Sequence, residues 1–105
     1  MFNILQSLFG PKDNTALKNA IKNGAILIDV RTPSEFASGS VKGAKNIPLD
    51  RLQTQLNQFK KEDTIVVFCR SGNRSGMAKN LFNQSGYQNV INGGTWTNVN
   101  AVVNE

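Results

Sequence analysis

No histidine occurs in this chain, and that absence removes more chemistry than any single residue adds. Without an imidazole there is no Ser-His-Asp triad, no Cys-His pair and no histidine metal ligand. Cysteine occurs once, at Cys69, so the chain cannot close a disulfide on itself and nothing demands an oxidising compartment. A zinc or iron–sulfur site would need ligands the composition does not supply, so no metal and no cofactor is expected. No apolar run approaches the roughly 20 residues needed to cross a bilayer. The opening MFNILQSLFG is too short and too broken for a secretory signal and has no early positive charge. A cytoplasmic location is the expectation. Internal repeats and low-complexity tracts are absent. Any catalysis must draw on Cys69, carboxylates, arginines or backbone amides.

The charge is one-sided but dispersed. Twelve Lys+Arg stand against seven Asp+Glu, for a net charge of +5. The lysines are scattered and no basic block alternates with aromatics, so a nucleic-acid surface has no support. Membrane-surface binding lacks the Lys/Arg flanks it would need on the first turns. A basic field does raise the local concentration of small anions. With 105 residues the chain reads as one domain over residues 14–105, monomeric, preceded by an arm or short helix over 1–13.

Periodicity places alternating helices and strands. Asn14 to Asn23 carries Leu17, Ala20 and Ile21 at helical spacing ahead of Gly24. AILIDV, Ala25 to Val30, is apolar and β-branched and predicts a buried strand. In TPSEF, Thr32 and Glu35 form a capping box around Pro33 and predict a helix to about Ser38. Ala44 to Leu49 predicts a brief strand, and Asp50 is read as the cap of a helix burying Leu52, Leu56 and Phe59. Thr64 to Phe68 is a continuous apolar run of the kind a parallel sheet buries on both faces, with Cys69 as its last residue. Ser75 to Ser85 predicts a helix with Met77, Ala78, Leu81 and Phe82 inward. Val90 and Ile91 mark a short strand, NGG a turn, and Thr95 the start of a last helix with Trp96, Val99, Val102 and Val103 inward. The pattern predicts an α/β fold of three layers, a mainly parallel central sheet flanked by helices.

The lone cysteine falls where such folds put their sites, at the carboxyl end of a central strand. Arg70, Ser71, Gly72, Asn73 and Arg74 follow before the helix at Ser75. Gly72 and Asn73 tolerate unusual backbone angles, and a tight curl here would turn successive N–H groups inward as an anion nest. The helix amino end adds partial positive charge. Such surroundings lower a thiol's pKa from its usual value of about 8.5 without any histidine. Arg70 and Arg74 offer fork-shaped donors for an oxyanion. Arg74 has a second reading, as the partner of a nearby carboxylate.

Four segments, in order, resemble the rhodanese-like sulfurtransferase family. CRSGNRS (Cys69 to Ser75) resembles the family's active-site loop, and LIDVRTPSEF (Leu27 to Phe36) its upstream segment. GSVKGAKNIPL (Gly39 to Leu49) is similar to its middle signature, with Ser40 where the family carries histidine, and GYQNVINGGTW (Gly86 to Trp96) to its closing strand and turn. The resemblance implies a persulfide mechanism. Cys69 would take the sulfane sulfur of a donor such as thiosulfate, or of a persulfide, and pass it to cyanide, a thiol or an acceptor protein. It implies that amides from Arg70 to Ser75 hold the sulfur anion, that Arg70 steers thiosulfate, and that Asp29 and Arg31 orient neighbouring loops. Arg31 would pair with Glu35 or a loop carbonyl, and Thr32 and Glu35 act only as caps. Two other readings stay open: a persulfide carrier or redox sensor with little turnover, and, ranked lower, a cysteine phosphatase. The phosphatase reading is weakened by the four residues between Cys69 and Arg74, since phosphatase loops resemble Cys-x5-Arg.

Overall fold

The computed structural model describes residues 14–105; the arm expected over 1–13 lies outside the described residues. The order is α1 (Thr15–Lys22), β1 (Ile26–Asp29), α2 (Pro33–Ala37), β2 (Lys45–Asn46) and α3 (Leu49–Leu52), followed by a 3-10 stretch (Gln53–Gln58). Then come β3 (Ile65–Cys69), α4 (Asn73–Gln84), β4 (Val90–Thr95) and α5 (Trp96–Val103). Among the described residues no helix is long and apolar enough to cross a membrane.

Four parallel strands form one sheet in the order β2-β1-β3-β4. The chain winds outward from β1 to β2, then returns across the sheet to β3. Connections leaving the carboxyl ends of β1 and β3 therefore part in opposite directions and open a crevice between them, the usual ligand position in open α/β sheets.

Strand β3 is buried on both faces, and its alternation divides the core. Ile65, Val67 and Cys69 belong to one apolar cluster with Ile28, Val30, Leu52, Leu56, Phe59, Ala78 and Phe82. Val66 and Phe68 belong to the other, with Leu17, Ala20, Val99 and Val102 from α1 and α5. This is the expected three-layer arrangement. Phe82 has no exposed surface and meets Phe59 and Tyr87 ring to ring. Truncating such a side chain to alanine costs about 3–5 kcal/mol. The same alternation decides where the thiol goes: Cys69 points to the face covered by α4.

Local chemistry accounts for most boundaries. Thr32 Oγ1 accepts the Glu35 N–H at 3.3 Å and Glu35 Oε1 accepts the Thr32 N–H at 3.0 Å, so the capping box starts α2 as its spacing predicts. Thr95 caps α5 by accepting the Asn98 N–H at 3.1 Å.

Four expectations are corrected. Asp50 is not a cap: α3 starts at Leu49 after Pro48, whose ring fixes φ, and the helix soon tightens into the 3-10 stretch. Leu52, Leu56 and Phe59 are nevertheless buried together. Helix α4 begins at Asn73, two residues before Ser75, because Gly72 supplies a left-handed turn at its start. Met77 faces solvent at 61% exposure; the inward stripe is Ser75, Ala78 and Phe82. The NGG segment belongs to β4 and is not a turn. There Val67 pairs with Asn92 and Phe68 with Gly94, so Gly93 is the extra residue of a bulge. A Cβ on Gly93 would stand 2.6 Å from Val99 Cγ2, which is why only glycine fits.

Candidate active site

Cys69 closes β3, and the chain then curls through Arg70 and Ser71 to Gly72, which adopts φ 98° as the N-cap of α4. The curl aims donors at the sulfur. The Gly72 N–H donates to Cys69 Sγ at 3.0 Å and the Ser75 N–H at 3.4 Å. Ser75 Oγ lies 3.4 Å from the same sulfur. Cys69 and Ser75 are both fully buried. Burial pushes the thiol's pKa up, but the Ser75 hydroxyl and the amides of Ser75, Gly72 and Ser71 outweigh it and bring the thiol below its ordinary value. Donors that favour the charged form act this way on any ionisable group. The amino end of the 12-residue α4 adds its dipole in the same sense.

The two arginines part company. Arg70 is exposed, and among the described residues no ion pair or hydrogen bond engages its side chain. Arg74 closes a fork on Glu35, with Nη1 to Oε1 at 2.7 Å and Nη2 to Oε2 at 3.0 Å. The Arg74 fork, then the Thr32 amide, holds the Glu35 carboxyl down to about 2. Glu35 is thus more than a cap: it ties α2 to the start of α4. Asn73 is exposed at the first position of α4.

Asp29 and Arg31 form a buried latch at the end of β1. Asp29 accepts the Arg31 backbone N–H at 3.0 Å, Arg31 Nε at 2.9 Å and Nη2 at 2.7 Å. Arg31 Nη2 also donates to the Gly39 carbonyl at 2.7 Å, and the guanidinium lies 5.1 Å from the Trp96 ring centre. Of the two partners expected for Arg31, it takes the loop carbonyl. Ser40 donates to Asp29 Oδ2 at 2.7 Å, so this position serves the latch. Asn46 Nδ2 donates to the carbonyls of Asp29 and Arg31, both at 3.0 Å, and sews β2 to the same corner. Each charge here is paired and hydrogen-bonded, as a buried ion pair requires.

Beside the curl lies a cleft of about 330 Å³ lined by Val30, Thr32, Pro48, Leu49, Asp50 and Arg74. Val30 continues β1 next to Phe68, so the cleft opens in the crevice between β1 and β3. Strand β4 brings a residue that sequence reasoning passed over. Asn92 Oδ1 accepts the Ser75 hydroxyl at 2.7 Å and the Gly94 N–H at 2.9 Å, and Nδ2 donates to the Gly72 carbonyl at 3.3 Å. The only signal for it was its place beside the glycine pair.

The sequence model of the rhodanese-like domain matches residues 13–95, a span that takes in the latch, the thiol curl and β4. The chain belongs to the rhodanese-like domain family. The thiosulfate sulfurtransferase PspE of Escherichia coli is 39% identical over 69 residues, covering 64% of this chain and 66% of that protein. A sulfurtransferase of Allochromatium vinosum is 36% identical over 67 residues, covering 64% and 63%. Among solved structures, a rhodanese with anions from E. coli superposes with a TM-score of 0.68 at 35% identity, covering 71% of this chain and 91% of that one. The chain spans 54% to 66% of the length of the first curated relatives it matches. The parallel sheet and its flanking helices are those of this rhodanese-like fold.

Proposed function

We propose that this rhodanese-like domain is a sulfurtransferase that carries a sulfane sulfur as a Cys69 persulfide. The observation that carries the reading is the aim of the Gly72 and Ser75 amides at Sγ, 3.0 and 3.4 Å away. Fixed donors in a buried site stabilise developing negative charge without reorganising. The donor is a small sulfur-containing anion such as thiosulfate, or a persulfide. The Cys69 thiolate attacks its outer sulfur; a new S–S bond forms, the donor's S–S bond breaks, and the leaving group, sulfite from thiosulfate or a thiolate from a persulfide, departs with the bonding pair. The persulfide's terminal sulfur then faces the donors from Arg70 to Ser75. An acceptor, either cyanide, a thiol or an acceptor protein, attacks that sulfur and returns the electron pair to Cys69. Arg70, exposed and without a partner among the described residues, meets the incoming anion. Arg74 acts by holding α4 to α2, and Asp29 and Arg31 by fixing the neighbouring corner.

Relatives named as sulfurtransferases support this reading. A phosphatase reading has less support, because Arg74, the cation nearest in spacing to a phosphate-binding arginine, is already taken by Glu35. With thiosulfate and cyanide the protein should form thiocyanate, and Cys69→Ser should not. After thiosulfate alone, the peptide holding Cys69 should gain the mass of one sulfur atom. Persulfide without turnover would favour the carrier reading. Equal turnover by wild type and Cys69→Ser would overturn the nucleophile assignment.

A further inference from the structure

Asn92 sits at the bulge of β4, exposed, opposite the amino end of α4. Its backbone partners decide which way its amide faces. The Gly94 N–H, 2.9 Å away, can only donate, and the Gly72 carbonyl, 3.3 Å away, can only accept. Oδ1 therefore faces Gly94 and Ser75, and Nδ2 faces Gly72.

The Ser75 hydroxyl has one proton and two neighbours that can take it. Asn92 Oδ1 stands 2.7 Å from Oγ, and Cys69 Sγ stands 3.4 Å from it. Since Oδ1 cannot donate, the shorter contact puts the hydroxyl proton on the Asn92 side. Oγ then turns lone pairs toward the sulfur. That suits a neutral thiol, whose S–H can donate to Oγ; the hydroxyl favours an anionic sulfur only when it turns its proton to Sγ. Holding the anion with this hydroxyl requires the proton to leave Asn92.

We infer that Asn92 is a positioning residue: by competing with Cys69 Sγ for the single proton of the Ser75 hydroxyl, it sets how readily sulfur is held as an anion. Only the consequence for turnover rests on the sulfurtransferase reading; the competition acts on the free thiol. Asn92 works through the hydroxyl and not by holding the curl. The Gly72 carbonyl also accepts the Gly76 N–H at 3.0 Å, and the Ser75 backbone is part of α4, so both amides stay aimed at Sγ without Asn92. Strand β4 carries no titratable side chain. The charges on the elements around the sulfur are Arg70 on the curl, Arg74 and Lys79 on α4, Glu35 on α2, Asp29 and Arg31 at the end of β1, and Asp50 and Arg51 on α3. Among the described residues none of them hydrogen-bonds to Asn92 or to Ser75.

The test is the pH dependence of Cys69 alkylation by iodoacetamide, with wild type, Asn92→Ala and Asn92→Asp, each also in a Ser75→Ala background. Asn92→Ala removes the competitor, and the ionisation midpoint should fall by about half a unit. Asn92→Asp offers a charged, stronger acceptor for the same proton, and the midpoint should rise by about one unit. In the Ser75→Ala background the alanine change should have no effect, and the aspartate change should keep under half of its shift, the part due to charge alone. Midpoints that move in the same direction in both variants, do not move, or move fully without the Ser75 hydroxyl would each overturn the inference. Asn92 is exposed, so both variants should fold, and melting curves check this. Thiocyanate formation, assayed in parallel, separates the two readings. Opposed midpoints without wild-type turnover would remove the sulfurtransferase and leave Asn92 in its role; turnover with unmoved midpoints would do the reverse.

Discussion

Arg74 on α4 and Glu35 on α2 close a two-bond fork at 2.7 and 3.0 Å across 39 residues of chain. The pair sits at the mouth of the site and leaves Arg70 as the cation of the curl without a partner among the described residues. In the proposed reading the two arginines of CRSGNR divide the work: Arg74 ties α4 to α2, and Arg70 meets the anion.

Arg70→Ala should therefore act on binding. We expect KM for thiosulfate to rise about tenfold, the loss of one charge-assisted hydrogen bond, with kcat little changed. The remaining activity should also depend less on salt, since steering by an exposed charge is screened. Steady-state kinetics at two ionic strengths checks both; an unchanged KM would remove Arg70 from substrate binding.

Arg74→Ala should behave differently. The pair is about one-third exposed, so its loss should cost on the order of 1 kcal/mol or less of stability. Its signature is acid dependence. Glu35 is held down to about 2 from 4.5, so its stabilisation is complete above 4.5 and is lost as pH falls toward 2. The stability gap between wild type and Glu35→Gln should close across that window, as read by denaturant melts at several pH values. A gap that stays constant down to pH 2 would show that the fork does not stabilise the fold.

Gly72→Ala tests the curl itself. At φ 98° a side chain is strained even though the nearest atom, Gly94 Cα, is 3.7 Å from the added Cβ. Left-handed backbone costs a non-glycine residue about 1–2 kcal/mol. If the backbone relaxes instead, the Gly72 N–H leaves the sulfur. Either a lower melting temperature or slower alkylation of Cys69 at neutral pH is expected; a variant unchanged in both would contradict the assigned geometry.

Much of this was legible in the residues, for physical reasons. IVVFC announced a strand buried on both sides because nothing in it wants water, and the Thr32–Glu35 box fixed the start of α2 by local hydrogen bonds alone. The residues alone start α4 two positions late because Asn73 and Arg74 read as part of the curl, and only the left-handed turn at Gly72 shows that the helix has begun. Met77 looked like core because its neighbour Ala78 is core, and one position of rotation separates the buried stripe from solvent. NGG read as a turn from its glycines, whereas the glycines are there to let a bulged strand pass Val99. Asn92 and the second role of Glu35 depend on contacts across 17 and 39 residues, which no local pattern encodes.

The donors of the curl, the Ser75 hydroxyl and the amides of Ser75, Gly72 and Ser71, hold the Cys69 thiol below its ordinary pKa. The most direct measurement is the rate of Cys69 alkylation in the native protein as a function of pH. A midpoint clearly below the usual value of about 8.5, returning toward it when the protein is unfolded in denaturant, is the result this account predicts. A native midpoint at or above that of the unfolded chain would contradict it.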